Sequence, residues 1–291
     1  TTPIDHRTCL KKCLLFMPSP VCDLDRDKSE NCNATRSESR SLTRNDGREM
    51  PAIDKEKCTG CRICQTYCTV DAIDFGKRKC KINNELCTEC YVCLRMRVCP
   101  EDAIYAEELV GFYKQFQHVI SDPVENHGVT GVTGRGTEEV KTNDVSGRVK
   151  RGWIGLSIDM GRPGLGVYLR DAEKVAMACA EAGFKLAPQE ESPLAALMPD
   201  NSTGKLEDGC LDYRLLSVII EGRCEEGKAK DVLRALKKVE KEIDTVFSVG
   251  LISRVDENGH CRALEFLDEL GMPQPHRGKV NPGMGKPLSK D

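Results

Sequence analysis

The chain has 291 residues, of which 31% are charged, with a formal net charge of −3 and a pI near 6. No overall positive field draws it to nucleic acid or to an anionic membrane. The longest apolar runs, such as Leu215 to Ile220, fall far short of the roughly 20 residues that span a bilayer, and the length suits two domains at about 100–200 residues each.

Residues 1–50 are polar, with a Ser/Arg/Asn-rich run from Lys28 to Arg48, and read as an arm with little regular structure of its own. Asp5, His6 and Arg7 stand where a secretion signal would need an apolar stretch, so a cytoplasmic protein is expected. Residues 51–108 hold a dense cysteine repeat. Residues 109–150 combine an aromatic stretch (Phe112, Tyr113, Phe116) with a Gly/Thr-rich run from Gly128 to Gly136, and read as a linker.

The pattern changes near Arg151. Ile154, Leu156, Ile158 and Met160 alternate with Gly155, Ser157 and Asp159, the period of a half-buried strand. Leu169, Ala172, Val175, Ala176 and Cys179 line one helical face, with Gly183 as its stop. Lys185 to Pro188 begins a short strand, and Leu215 to Glu221 is a β-branched run of strand length. A second helical stripe runs from Ala229 to Ile243, and Val246 to Val255 reads as a last strand. Residues 151–268 therefore have the order β-α-β-β-α-β, in which two split units share an antiparallel sheet with both helices on one face. Residues 269–291, rich in Pro and Gly, read as an irregular tail. The fold class expected is α+β.

The cysteines narrow the function. There are 17, and 13 lie within the first 99 residues, many at C-x-x-C spacing, which in such a chain points to metal. Residues 53–75 and 82–105 repeat each other. Ile53, Cys58, Cys61 and Cys64 match Ile82, Cys87, Cys90 and Cys93 at 29 positions, whereas Asp71-Ala72-Ile73 matches Asp102-Ala103-Ile104 at 31. Two residues have entered the second copy between Cys93 and Cys99. Three thiolates at this spacing wrap one face of an iron–sulfur cubane, and in two-cluster proteins the fourth comes from the other repeat.

Residues 51–108 thus resemble the bacterial dicluster ferredoxins. The resemblance implies two [4Fe–4S] clusters, one held by Cys58, Cys61, Cys64 and Cys99, the other by Cys87, Cys90, Cys93 and Cys68. It also implies single-electron transfer to or from a redox protein or larger oxidoreductase in an anaerobic setting. Thr69 departs from the family, which has Pro there, and the spacer Leu94-Arg95-Met96-Arg97-Val98 is five residues instead of three. The spacer is expected to bulge outward and bring two cations near a cluster. Zinc also takes four cysteines from C-x-x-C pairs, but the third cysteine of each run and the Asp-Ala-Ile echo fit clusters better.

Weaker signals remain. Cys9, Cys13, Cys22 and Cys32 offer a candidate third metal site, at irregular spacings. Cys80 reads as a packed core thiol, and Cys179, Cys210, Cys224 and Cys261 as core or surface thiols. Lys77-Arg78-Lys79-Cys80-Lys81 is a basic run that serves either as a docking patch or as a solvated hairpin. Asp159-Met160-Gly161-Arg162-Pro163-Gly164, between the first strand and helix of residues 151–268, resembles the strand-to-helix loop of ACT-type regulatory domains. That resemblance implies a loop, with Gly161, Arg162 and Gly164, that binds a small anionic molecule, and a domain that forms oligomers. No catalytic constellation or dinucleotide fingerprint appears. The chain is expected to be an electron-transfer component and no enzyme by itself. A redox- or ligand-responsive regulator is the alternative.

Overall fold

The computed structural model describes residues 51–131, 148–161, 164–254 and 261–272, with Asp256 and Asn258 besides. The candidate metal site at Cys9, Cys13, Cys22 and Cys32, Arg162 of the candidate ligand loop, and nearly all of the 269–291 tail lie outside the described residues. The chain divides into Thr1–Arg44 and one compact unit, Asn45–Asp291.

The cysteine repeat folds by exchanging strands between its copies. The first copy supplies β1 (Ala52–Ile53), α1 (Ile63–Tyr67) and β2 (Ile73–Gly76). The second supplies β3 (Lys79–Ile82), α2 (Val92–Arg95) and β4 (Ile104–Tyr105). β1 pairs with β4, setting Ile53 against Ile104, and β2 pairs with β3, setting Ile73 against Ile82. The start of each copy therefore lies beside the end of the other. Lys77 and Arg78 close the β2–β3 hairpin with both φ positive, 31° and 83°, the sense of turn that matches strand twist. Cys64, Ile73, Cys80, Ile82 and Val98 form a small buried core.

Within the segment read as a linker, residues Phe112–Ser121 form a helix, α3. Phe112, Phe116 and Ile120 fall four apart, so they share one face. Phe116 and Ile120 are buried in the large core of the C-terminal half.

That half is a four-stranded antiparallel sheet of β5 (Trp153–Met160), β7 (Lys185–Leu186), β9 (Val218–Glu225) and β10 (Phe247–Ser253), in the order β10-β5-β9-β7. A two-stranded ladder joins β6 (Val167–Tyr168) to β8 (Arg214–Leu215). The helices α4 (Leu169–Glu181) and α5 (Ala229–Val239) pack on each other and on the sheet through Ala172, Val175, Cys179, Val232, Leu233 and Leu236. Gly183, at φ 94°, ends α4, and the amide of Phe184 turns back to the Cys179 carbonyl. Gly222 has no room for a side chain: a Cβ would lie 2.2 Å from the Lys185 carbonyl oxygen. Fold class is α+β throughout.

Three features differ from the expected pattern. β5 is buried on both faces, not one: Ser157 and Asp159 are buried as well as Leu156 and Ile158. Part of the cover is Val149, whose side chain meets Gly155, held as Arg254 Nε donates to the Val149 carbonyl at 2.7 Å. The long connection after β7 adds a 3-10 turn, Pro193–Leu197, and buries Leu194, Leu197, Leu206 and Cys210. A last helix, α6 (Arg262–Glu269), packs Ala263 and Phe266 onto the core and runs one residue past the boundary placed at 268.

Candidate metal centre

Each copy bends its cysteine loop in the same way. Gly60 and Arg62, on either side of Cys61, have φ of 76° and 66°. Glu89 and Tyr91, on either side of Cys90, have 59° and 54°. Left-handed backbone costs a non-glycine residue on the order of 1 kcal/mol or more, so three such residues mark loops held by their surroundings. Gly60 is required twice over, because a Cβ there would lie 2.1 Å from the Arg78 carbonyl oxygen.

The Asp-Ala-Ile echo has a physical cause. Asp71 and Asp102 are both left-handed, at 54° and 46°, a conformation that Asp tolerates. The turn aims the next amide back at the preceding cysteine: Ala72 N–H donates to Cys68 Sγ at 3.1 Å, and Ala103 N–H to Cys99 Sγ at 3.3 Å. Ala72 and Ala103 are fully buried, which leaves space for no more than a methyl.

The exchanged strands carry these cysteines across the repeat. Cys99 precedes β4, which lies on β1, and Cys68 precedes β2, which lies on β3. One cavity is lined by Cys58, Cys61, Cys64 and Cys99, with Ile53 and Ile104 in its wall. Another is lined by Cys68, Cys87, Cys90 and Cys93, with Val70, Ile73 and Ile82. Cys80 is buried in the small core, as expected, and also borders the first cavity.

A polynuclear cluster fits this donor set. Four soft thiols around an apolar cavity match a cubane, which offers one iron to each corner. Burial pushes the Cys64 thiol up to about 12, with Cys80 beside it adding to the shift. Burial likewise raises Cys87 to about 12 and Cys93 to about 11. Metal must therefore displace protons here.

Both departures from the repeat have partners. The Thr69 hydroxyl lies 3.6 Å from Cys90 Sγ, a hydrogen bond that proline could not make. In the five-residue spacer Met96 projects outward, while Val98 turns into the small core. Arg95 ion-pairs with buried Asp122 at the end of α3 and donates to the Cys90 carbonyl at 3.4 Å. One spacer cation is thus fixed beside the second loop.

The C-terminal half grips that same loop. Gln117 Nε2 donates to the Cys87 carbonyl at 3.1 Å and to the Arg214 carbonyl at 2.8 Å. Lys114 Nζ sits 2.8 Å from the carboxylate of Glu89, which has no exposed surface, and the His118 ring nitrogen lies 2.9 Å from the Glu89 carbonyl oxygen. Arg214 donates to the Leu86 carbonyl at 2.6 Å and Tyr168 to that of Glu85 at 3.2 Å. Sequence reasoning missed these residues. The one signal was Glu89, a carboxylate where the first copy has Gly60. The described part of the candidate ligand loop also faces the cysteine repeat: a Cβ on Gly164 would lie 2.9 Å from the Thr69 carbonyl oxygen.

Cys179, Cys210 and Cys224 are buried core thiols, and burial raises them to about 12, 12 and 11. A thiol whose folded pKa is raised stays protonated longer in the native state. Its contribution is whole below the unfolded value near 8.5 and is lost as pH climbs through the folded one. Denaturant titrations at stepped pH are expected to show stability falling between about pH 9 and 12, and Cys179→Ala should flatten that slope. A slope unchanged in the variant would assign the loss to other groups.

No helix among the described residues is long and apolar enough to cross a membrane. No curated protein and no solved structure matches the chain. Residues 51–74, which hold Cys58, Cys61, Cys64 and Cys68, match the family model of the 4Fe-4S binding domain, so this segment is an iron–sulfur site of the ferredoxin type with an electron-transfer role.

Proposed function

We propose that the chain carries two [4Fe–4S] clusters, on Cys58, Cys61, Cys64 and Cys99 and on Cys87, Cys90, Cys93 and Cys68. It relays single electrons between a donor and a partner redox enzyme, with the C-terminal half as an assembly platform. The observation that carries this is the pair of four-cysteine cavities, each drawing on both copies. Each cluster, when bound, takes up or gives up one electron with no bond made or broken. The residues around it hold the thiolates, exclude water and set the potential. Ile53, Ile73, Ile82 and Ile104 form apolar walls, and the Ala72 and Ala103 amides stabilise thiolate charge on Cys68 and Cys99.

The Thr69 hydroxyl does the same for Cys90. Thr69→Val is expected to lower the potential of that cluster by tens of mV, the equivalent of one hydrogen bond of about 1 kcal/mol, as read by redox titration followed by EPR. An unshifted potential would show that the hydroxyl does not face the ligand. The reading as a whole is tested by coulometric titration of the anaerobic protein. Two electrons per chain, taken up reversibly, are expected, and a chain that takes up none would end it.

The regulatory alternative is supported by the sheet order β10-β5-β9-β7, which suits an ACT-like domain. It requires stabilisation by an amino or organic acid in a thermal-shift panel, lost in Arg162→Ala.

A further inference from the structure

The two copies share a backbone but not an environment, and equivalent positions can be compared directly. Thr88 and Glu89 are buried, while Thr59 is exposed beside Gly60. Tyr91 is half-buried with its ring 4.2 Å from that of His118, while its counterpart Arg62 is exposed, stacked 3.7 Å over Phe75. Cys61 is exposed where Cys90 is half-buried, and Ile63 is 43% exposed where Val92 is half-buried. The cover over the second copy is α3. Nothing among the described residues covers the first copy in the same way.

The open copy is also ringed by positive charge. Lys55 and Lys57 lie in the turn before Cys58. Lys77 and Arg78 form the hairpin turn whose backbone touches Gly60, and Lys81 follows in β3. With Arg62 they are all exposed, and the five on the turn and hairpin form no ion pair with a described residue. On the same turn and hairpin the carboxylates are three: Asp54, which accepts the amides of Glu56 and Lys57, Glu56, and Asp74, which faces Lys81 across the ladder. Exposed Glu101 and Asp102 lie at the other side of the cavity, just before Ala103, whose carbonyl accepts the Asp54 amide. This patch is cationic on a chain whose net charge is −3, so it is a local feature and not an overall surplus.

We propose that this face, around Cys61 and Ile63, docks an acidic one-electron carrier protein, and that the site beneath α3 is the inner station of the relay. The inference rests on the two-cluster reading. One electron lost by the reduced centre on one side of the contact is gained by the oxidised centre on the other, and no proton or bond changes hands. Electron-transfer encounters are small and short-lived. A cationic rim around one exposed apolar residue suits them, because charge steers the approach and a small apolar contact lets the partner leave.

The test uses the whole chain and a carboxylate-terminated monolayer on gold as the acidic probe, at low salt, with adsorbed mass and voltammetric current both recorded. The wild-type chain should adsorb and exchange electrons. Lys57→Glu/Lys77→Glu/Lys81→Glu should lower both the adsorption rate and the current by about tenfold or more, the range of electrostatic steering. Lys238→Glu/Lys241→Glu, on α5 and the turn after it, outside the cysteine repeat, should change neither by more than about twofold. Iron and sulfide content of the same samples reports the two-cluster reading separately, and adsorbed mass decides the docking face whatever that content is. Equal losses in the two variants, or a triple variant that still adsorbs, would overturn the proposal. So would a triple variant that loses affinity for an oligonucleotide but keeps it for the carboxylate surface.

Discussion

Cys99→Ser is expected to remove the cluster whose other ligands are Cys58, Cys61 and Cys64, and to spare the one on the run that Cys99 follows. The exchange of strands is the cause. Cys99 stands just before β4, β4 lies on β1 of the first copy, and the Ala103 amide fixes the Cys99 sulfur in the first cavity. Cys68→Ser should give the mirror result through β2, β3 and Ala72. Each variant should fall from about eight irons per chain to about four. The two should also lose different EPR components, because Cys87 lies against α3 whereas Cys61 faces outward. Loss of the Cys87 cluster in Cys99→Ser would mean that the two inserted residues had rewired the site.

The second large effect concerns where the C-terminal half begins. If residues 109–150 were only a linker, as the Gly/Thr-rich run implies, a fragment starting near Lys150 would fold on its own. The structure puts Phe116 and Ile120, at 5% and 2% exposure, in the same core as Leu156, Leu215 and Leu236. Ser121 Oγ also accepts the Leu216 amide at 3.0 Å. Burying two such side chains contributes roughly 1.5–3 kcal/mol each, a large part of the roughly 5–15 kcal/mol that holds a domain. A fragment from Lys150 is therefore expected to be molten or aggregated. One from Leu109 should melt cooperatively and stay colourless. In the full chain Phe116→Ala should cost about 3–5 kcal/mol in denaturant titration. A fragment from Lys150 with a sharp melt matching that of the longer one would show that α3 belongs only to the cluster region.

The sequence made the repeat legible because its ligands sit in local loops, where spacing and geometry are the same thing. The β-α-β-β-α-β order was legible for a similar reason, since period and length mark each element. Pairing between copies is not local: the repeat of Ile53 and Ile82 does not say that Ile53 lies on Ile104. The family resemblance, not the residue pattern, supplied the crossed assignment. α3 was missed although Phe112, Phe116 and Ile120 carry a helical period, because the glycines that follow drew the whole segment into one linker. The second buried face of β5 was invisible because Gly155, Ser157 and Asp159 look like solvent-facing residues, and only the chain crossing at Val149 shows otherwise. Thr69 looked like the loss of a proline, and its hydroxyl became meaningful only beside Cys90.

The most direct measurement is the iron and acid-labile sulfide content of anaerobically purified protein, taken with its zinc content. Eight cysteines in two cavities call for about eight irons and eight sulfides per chain. Zinc bound without sulfide would contradict the two-cluster relay outright.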